Sequence, residues 1–396
     1  MRYVFLTDEL PRPGSAGHLA TNHAIISWLQ GLGHQVTVLL LGARLAWPVE
    51  RYDVAPVAGP QIAAWAGHVV PRSAGALAGI LLRAGLRALP APAANRIRRR
   101  RHQADAVLGR FCTEAEAGWA ARYIAREKPD ALLIDTLFRA APLAAPELRG
   151  INSVIIAHDV FHRRHQALTS AGYRVQPRHL SRADEASWLG GARRIAASQP
   201  EEASLLQKLC PAQHVFAAPM PALPCPPPEG WRRKPGRLVF IGSAALPNLD
   251  GLRWFFAEIW PRLGKNIRLD LIGDCGAALG SVPPGVVRHG RVRDLRPLLY
   301  NASLAISPLR VGSGLKVKLL EYARHGLVTV ATQCSLEGFM PDEAAPFIAA
   351  SSPETFAAAI LRQLAAPRRP DASINYVTRH YGIETSFSAL RAALGA

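Results

Sequence analysis

The sequence predicts an α/β protein of two Rossmann-like domains facing across a cleft. Three observations carry this expectation. Short apolar runs alternate with segments of helical spacing, most runs end in polar or glycine-bearing residues, and a proline-dense stretch near the middle separates two such series. With 396 residues, 49% of them apolar and 19% charged, the chain can build two ordinary cores. Intrinsic disorder and a small disulfide scaffold are both excluded.

The first series opens with apolar runs at 3–7 and 36–41, which bracket helical spacing over 19–32 ended by Gly31 and Gly33. Strand, glycine-bearing loop, helix and strand make a βαβ unit. Further strands are expected at 131–135, 153–157 and 194–198, and the first domain is placed at 1–210. In 211–235, eight of 25 residues are proline, a density no helix survives, so this stretch is assigned as linker. The second domain, 236–375, has strand patterns at 238–241, 267–272, 286–289, 303–307 and 327–331. Helical patterns lie at 249–262, 294–300, 315–325 and 353–365. Residues 376–396 are expected to form a C-terminal helix packing back on the first domain. No sequence repeat relates the two halves.

The formal charge is +18, from 47 Lys and Arg against 29 Asp and Glu. A nucleic-acid binder concentrates such charge on one element, whereas here both halves are basic and no aromatics interleave the arginines, so no nucleic-acid partner is expected. The densest run is 72–111, with nine arginines, including Arg98 to Arg101, and one acid, after the small apolar stretch 74–82. Such a segment suits an anionic membrane surface; a solvated, arginine-rich helix has the same composition. Five cysteines without a C-x-x-C pair suggest neither a disulfide framework nor a zinc knuckle. Asp8 and Glu9 stand where a signal peptide needs its apolar core, and no run reaches the ~20 apolar residues that span a bilayer. A cytoplasmic protein, at most peripheral on a membrane, is expected.

The chemistry concentrates in 306–323. A strand ends in a loop with Arg310 and Gly312-Ser313-Gly314, followed by Leu315 and a helix carrying Lys316 and Lys318 near its start. Exposed N–H groups at a helix start, glycines that allow close approach, and Arg with Lys together suit a diphosphate. Lys318 and Glu321, three residues apart, share a helix face, placing a cation for phosphate beside a carboxylate for sugar hydroxyls. An exposed Lys–Glu pair on an ordinary helix has the same spacing; the preceding arginine and glycines are what set this one apart. Val317 stands where a dinucleotide fingerprint needs its third glycine.

With these residues the chain resembles family 4-type glycosyltransferases of GT-B architecture. The resemblance runs through Phe240-Ile241-Gly242-Ser243, Pro247-Asn248-Leu249-Asp250, Leu271-Ile272-Gly273-Asp274, Gly290 to Leu295, Arg310 to Glu321 and Gly326 to Thr332. It implies a nucleotide-diphosphate sugar as co-substrate, bound in the second domain without a required cofactor. Gly242, Ser243, Gly312, Ser313, Gly314 and Leu315 line the donor; Arg310 and Lys318 hold the diphosphate, with Lys316 a weaker candidate. Glu321 bonds the ribose and the backbone around Val292 meets the base. Many members carry two glutamates with seven residues between them, but the position eight before Glu321 is Ser313. The implied reaction retains anomeric configuration and moves the sugar to a hydroxyl of a lipid-linked, glycan or small-molecule acceptor. A catalytically inactive sugar-nucleotide binder and a GT-B epimerase are the alternatives.

The first domain matches more loosely. Its loop 11–18 contains Gly14 and Gly17 where the family places a glycine-rich loop near the donor phosphates, and an ordinary flexible turn would also look like this. His158-Asp159 resembles the family's His-acid pair beside the transferred sugar; a histidine capping a strand end is the plainer alternative. His158 and His162 have the spacing of a zinc-protease pair, but Asp159 replaces the required Glu and the preceding run reads as strand. With no Asp-x-Asp motif either, no metal is expected.

Overall fold

The computed structural model describes residues 1–12, 17–42, 44–45, 47–72, 74–88, 105–312, 314–367 and 370–396. The chain divides into two compact units, Met1–Ala218 with Ser388–Ala396, and Pro219–Phe387.

The first unit is built on a seven-stranded parallel sheet of β1 (Arg2–Thr7), β2 (Gln35–Leu40), β3 (Val57–Ala58), β4 (Ala131–Asp135), β5 (Ser153–Ala157), β6 (Arg194–Ala197) and β7 (His214–Ala217). Their order is β7-β6-β5-β4-β1-β2-β3. Every residue of β4 and β5 is buried, because helices cover both faces of a parallel sheet; these strands therefore read as unbroken apolar runs. One core packs Val4, Leu132, Ile134 and Ile155 against Ala120 and Ile124 of the Glu114–Glu127 helix, which starts at a Thr113–Glu116 capping box. Beside the sheet lie a small antiparallel sheet (Glu50–Arg51, His68–Pro71, Ile62–Trp65) and helix α2 (Ala74–Ala88); α1 is Gly17–Gly31.

The second unit holds a six-stranded parallel sheet of β8 (Arg237–Ile241), β9 (Arg268–Ile272), β10 (Val286–Gly290), β11 (Leu304–Ser307), β12 (Thr329–Ala331) and β13 (Phe347–Ala349), ordered β10-β9-β8-β11-β12-β13. Alternating residues feed two cores: Leu238 and Phe240 pack with Leu249, Phe255 and Phe356, while Val239 packs with Ile272, Leu299 and Tyr322. Helix α3 (Leu246–Trp254) follows β8, and α4 (Val317–Arg324) lies between β11 and β12.

In each sheet the winding reverses once, between β1 and β4 in the first and between β8 and β11 in the second. Loops leaving neighbouring strands in opposite directions open a crevice at the carboxyl ends, where open α/β sheets place ligands.

Several elements differ from expectation. Residues 214–217, inside the stretch assigned as linker, form edge strand β7, because Pro211 and Pro219 flank this segment without interrupting its pairing with β6. The pattern at 249–262 becomes α3, a wide π turn Phe255–Ile259 and a 3-10 turn around Pro261, whose ring cannot continue an α-helix. In place of one C-terminal helix stand two, Pro370–Tyr381 and Ile383–Leu394. Arg98 to Arg101 fall outside the described residues.

Candidate functional site

At the second crevice β8 ends in Gly242, which has no room for a side chain: a Cβ there would lie 2.5 Å from the Phe240 ring and 3.1 Å from Asn248 Cγ. Asn248, buried in the first turn of α3, donates through Nδ2 to the Ser243 carbonyl oxygen at 3.1 Å. Its Oδ1 accepts from Lys318 Nζ at 2.6 Å, and the Lys318 ammonium lies 4.1 Å from the centre of the Phe240 ring. Burial pushes the Lys318 amine down to about 7; the charge of Lys316 adds to this and Cys275 opposes it. Tyr322, one turn further along α4, accepts from the Ile241 backbone N–H at 2.6 Å and fixes the helix to the end of β8.

The loop between β11 and α4 turns at Gly312 (φ 136°) and Gly314 (φ 74°), both in the left-handed region that favours glycine. Thr332 Oγ1 donates to the Leu309 carbonyl oxygen, and Cys334 Sγ lies 3.5 Å from the Gly312 oxygen, bracing the loop from behind. Lys316 is buried and its ammonium donates to the Gly314 carbonyl at 2.7 Å. Arg310, half exposed, makes a two-pronged ion pair with Asp250 of α3 at 2.6 and 3.0 Å. Leu315 packs against the core that holds Leu319 and Ala323, and Val292, after β10, packs against the one that holds Val239, Ile272 and Leu299. Glu321 lies 3.3 Å from both Arg324 and His325. The carboxylate that shares Lys318's helix face is thus engaged by other partners, and the lysine's own partner is an amide. Ser313 lies outside the described residues.

The crevice brings together Gly242, Ser243, Arg310 and Lys318 and adds three groups that motif reading did not single out: Asn248, Phe240 and Asp250. The motifs Phe240 to Ser243 and Pro247 to Asp250 contain all three but give them no role. A solvent-facing guanidinium, a half-buried ammonium and glycine-rich backbone at the entry of a helix can bind a diphosphate through charge-assisted hydrogen bonds.

At the first crevice Asp135, closing β4, is almost wholly buried. It accepts from Thr7 Oγ1 at 2.8 Å and lies 3.0 Å from His158 Nε2. Burial pushes this carboxyl up, but hydrogen bonding and charge from His158, with His18 and Asn22, overcome it and hold Asp135 down at about 2. His158 also meets Asn22 Oδ1 at 3.1 Å and packs edge-on against His18, whose imidazole burial keeps low despite Asp135. Asp159, the next residue, has a different partner. It is buried and held by Arg164 at 2.7 Å, since consecutive residues leaving a strand point to opposite sides. Asp135, 23 positions earlier, is the carboxylate of His158; an acid ending an apolar strand was its only sequence signal.

His162 binds Glu185 at 2.6 Å and His165 the Pro177 carbonyl oxygen at 3.1 Å, so the three histidines have three different partners. Among the described residues no group of three or more His, Cys, Asp or Glu converges as a metal site. Gly17 opens α1, where its carbonyl accepts from Thr21 Oγ1, and Gly14 lies outside the described residues.

Residues 235–366, which span this second crevice, match the family model for group 1 glycosyl transferases. That match covers a third of the chain and lies within the second unit. Solved structures resemble the whole chain at low identity. Sucrose-phosphate synthase from Thermosynechococcus elongatus aligns with TM-score 0.65 and 14% identity over 100% of this chain and 97% of its own. HepE of Anabaena, solved with UDP and glucose, gives 0.62 and 10% over 100% and 99%. The UDP-forming α,α-trehalose-phosphate synthase from Burkholderia xenovorans, solved with glucose-6-phosphate, gives 0.61 and 12% over the full length of both. The fold is therefore GT-B, two Rossmann-like domains. No curated protein matches in sequence. The matched region contains both Arg310 and Lys318, and Asn248 and Asp250 that hold them.

Proposed function

We propose that the chain is a retaining, metal-independent glycosyltransferase that moves a sugar from a nucleotide-diphosphate donor to an acceptor hydroxyl. The observation that carries this is the convergence of Arg310, Lys318 and the Gly312–Gly314 loop at the switch point of the second sheet, within the matched glycosyltransferase domain. In the reaction the bond from the sugar's anomeric carbon to the diphosphate breaks and the acceptor oxygen bonds that carbon on the same face. The hydroxyl proton passes to the departing phosphate oxygen, while Arg310 and Lys318 offset the charge developing there. Glu321 is assigned to the ribose and the backbone at Val292 to the base. In the first unit, the contact with the transferred sugar that resemblance gives His158 falls to a ring oriented by Asp135 instead of Asp159.

Assays of sugar release across UDP-, GDP-, dTDP- and ADP-sugars, with lipid-linked, glycan and small-molecule acceptors supplied, test this. Transfer from at least one donor is expected, with Arg310→Ala lowering kcat/KM by roughly 30- to 1,000-fold, as for loss of one charge-stabilising group. Nucleotide binding without sugar release would leave a binding protein; a new nucleotide sugar formed without acceptor would make the chain an epimerase.

We further propose an anionic membrane surface as a partner of segment 72–111. Leu77, Leu81 and Leu82 of α2 are exposed and the segment carries one acid against nine arginines. Among the described residues no helix is long and apolar enough to cross a membrane.

A further inference from the structure

The small antiparallel sheet of the first unit has one face packed and one open. Ile62, Val69 and Glu50 turn inward and are buried, and the Glu50 carboxylate is held by Arg12 at 2.5 Å. Alternation turns their neighbours outward. Trp65 lies opposite His68 and His68 opposite Arg51, so these three share the outer face, and all are exposed. Ala63 and Val70 pair beside them, and Trp47 and Val49 stand exposed just before Glu50. Trp65 itself is 83% exposed. It enters a two-residue turn whose residues, Ala66 and Gly67, both have positive φ, the conformation of the tightest hairpins, and the Tyr52 N–H donates to the Gly67 carbonyl oxygen at 2.7 Å. The turn therefore holds the indole at the sheet's tip without a partner to order it.

Charge decides what covers such a face. Asp53 is paired with Arg51 at 2.6 Å, and from 54 to 104 the chain has eight arginines and no acid. Helix α2, starting three residues after Pro71, adds exposed Leu77, Leu81 and Leu82. A second copy would set these arginines against their own kind, whereas acidic lipid headgroups attract every one of them. An indole, apolar in body and polar at its N–H, suits the boundary between acyl chains and headgroups. We propose that the outer face of the small sheet, led by Trp65, seats in the headgroup region of an anionic bilayer. This rests on the membrane reading of segment 72–111 and adds a second contact, outside that segment, that fixes how the first unit faces the bilayer.

Co-sedimentation of the full chain with vesicles of phosphatidylglycerol and phosphatidylcholine, and of phosphatidylcholine alone, reads binding. The same vesicles with brominated acyl chains read the position of Trp65, because bromine quenches an indole only at close contact. Wild type is expected to pellet with the anionic vesicles and not with the neutral ones, and to lose fluorescence that Trp65→Phe does not lose. Trp65→Ser, at a site too exposed to disturb the fold, should weaken partition into anionic vesicles about tenfold. Equal partition of wild type and Trp65→Ser, with no quenching that Trp65→Phe removes, would overturn the proposal while leaving the reading of 72–111 standing. Equal pelleting of wild type with neutral vesicles would remove the charge that selects the partner, and no pelleting with either would overturn both readings. A dimer in sedimentation equilibrium that Trp65→Ser dissociates would give the face to a second copy of the chain and overturn the proposal.

Discussion

Replacing Lys318 with Met separates stability from activity. The side chain keeps its length and its contact with Phe240 but loses the amine. In the folded protein burial lowers this amine from its ordinary 10.5 to about 7, so keeping the proton at neutral pH disfavours folding by about 4 kcal/mol in the limit of full burial. The side chain is only half-buried, and solvent screening reduces this to about 2 kcal/mol. Against that, Asn248 Oδ1 loses its donor, at about 1 kcal/mol. The net expectation is a gain of about 1 kcal/mol at pH 7, or roughly 2–4 °C in melting temperature. The sign follows from a folded value below the unfolded one in a base: the deficit is complete at low pH and vanishes above about 10.5, so the variant's advantage fades as pH rises. Donor turnover should fall roughly 30- to 1,000-fold. Scanning calorimetry at pH 7 and 9.5, with the sugar-release assay, reads both. A variant that melts lower at pH 7 and keeps its turnover would mean that the Lys318 amine neither burdens the fold nor meets the donor.

Other perturbations follow from the same geometry. Tyr322→Phe leaves the Ile241 N–H without its acceptor and should cost about 1–3 kcal/mol, with weaker donor binding as α4 loosens; an unchanged melting temperature would show that this bond is replaceable. Asp250→Ala breaks an exposed pair, so stability should change by less than about 1 kcal/mol while nucleotide-sugar affinity rises severalfold as Arg310 is released; weaker binding would mean that Asp250 orients Arg310 instead of competing for it. Asp135→Asn should cost about 2 kcal/mol at pH 7 in denaturant titration. The folded carboxyl lies at about 2 against an ordinary 3.8, so its contribution is complete above about pH 4 and lost as pH falls through about 2; a variant as stable as wild type at pH 7 would contradict this. Leu81→Glu with Leu82→Glu on α2 should reduce sedimentation with anionic liposomes several-fold, and equal pelleting would remove α2 from the membrane proposal.

The parallel sheets were legible because their strands are buried on both faces. Runs 131–135 and 153–157 match β4 and β5 to the residue, and 303–307 contains β11. Strand β7 was not, since four residues between prolines carry too little pattern to outweigh the prolines around them. Gly312, Gly314 and Lys318 were legible as a glycine loop at a strand-to-helix junction, a local pattern. Asn248 and Asp135 act through contacts with residues 70 and 23 positions away, which no local spacing records. Adjacency in sequence does not give the partner of His158, because alternation at the strand end sends His158 and Asp159 to different partners.

Arg310 and Lys318 at the second switch point are the proposed binding groups for a nucleotide sugar. Calorimetric titration of the wild-type chain and of Arg310→Ala with Lys318→Met, at pH 6 across UDP-, GDP-, dTDP- and ADP-sugars, tests this most directly. At least one donor should bind the wild type and lose roughly 100-fold or more in affinity to the double variant. Equal affinity for both proteins would place the donor elsewhere.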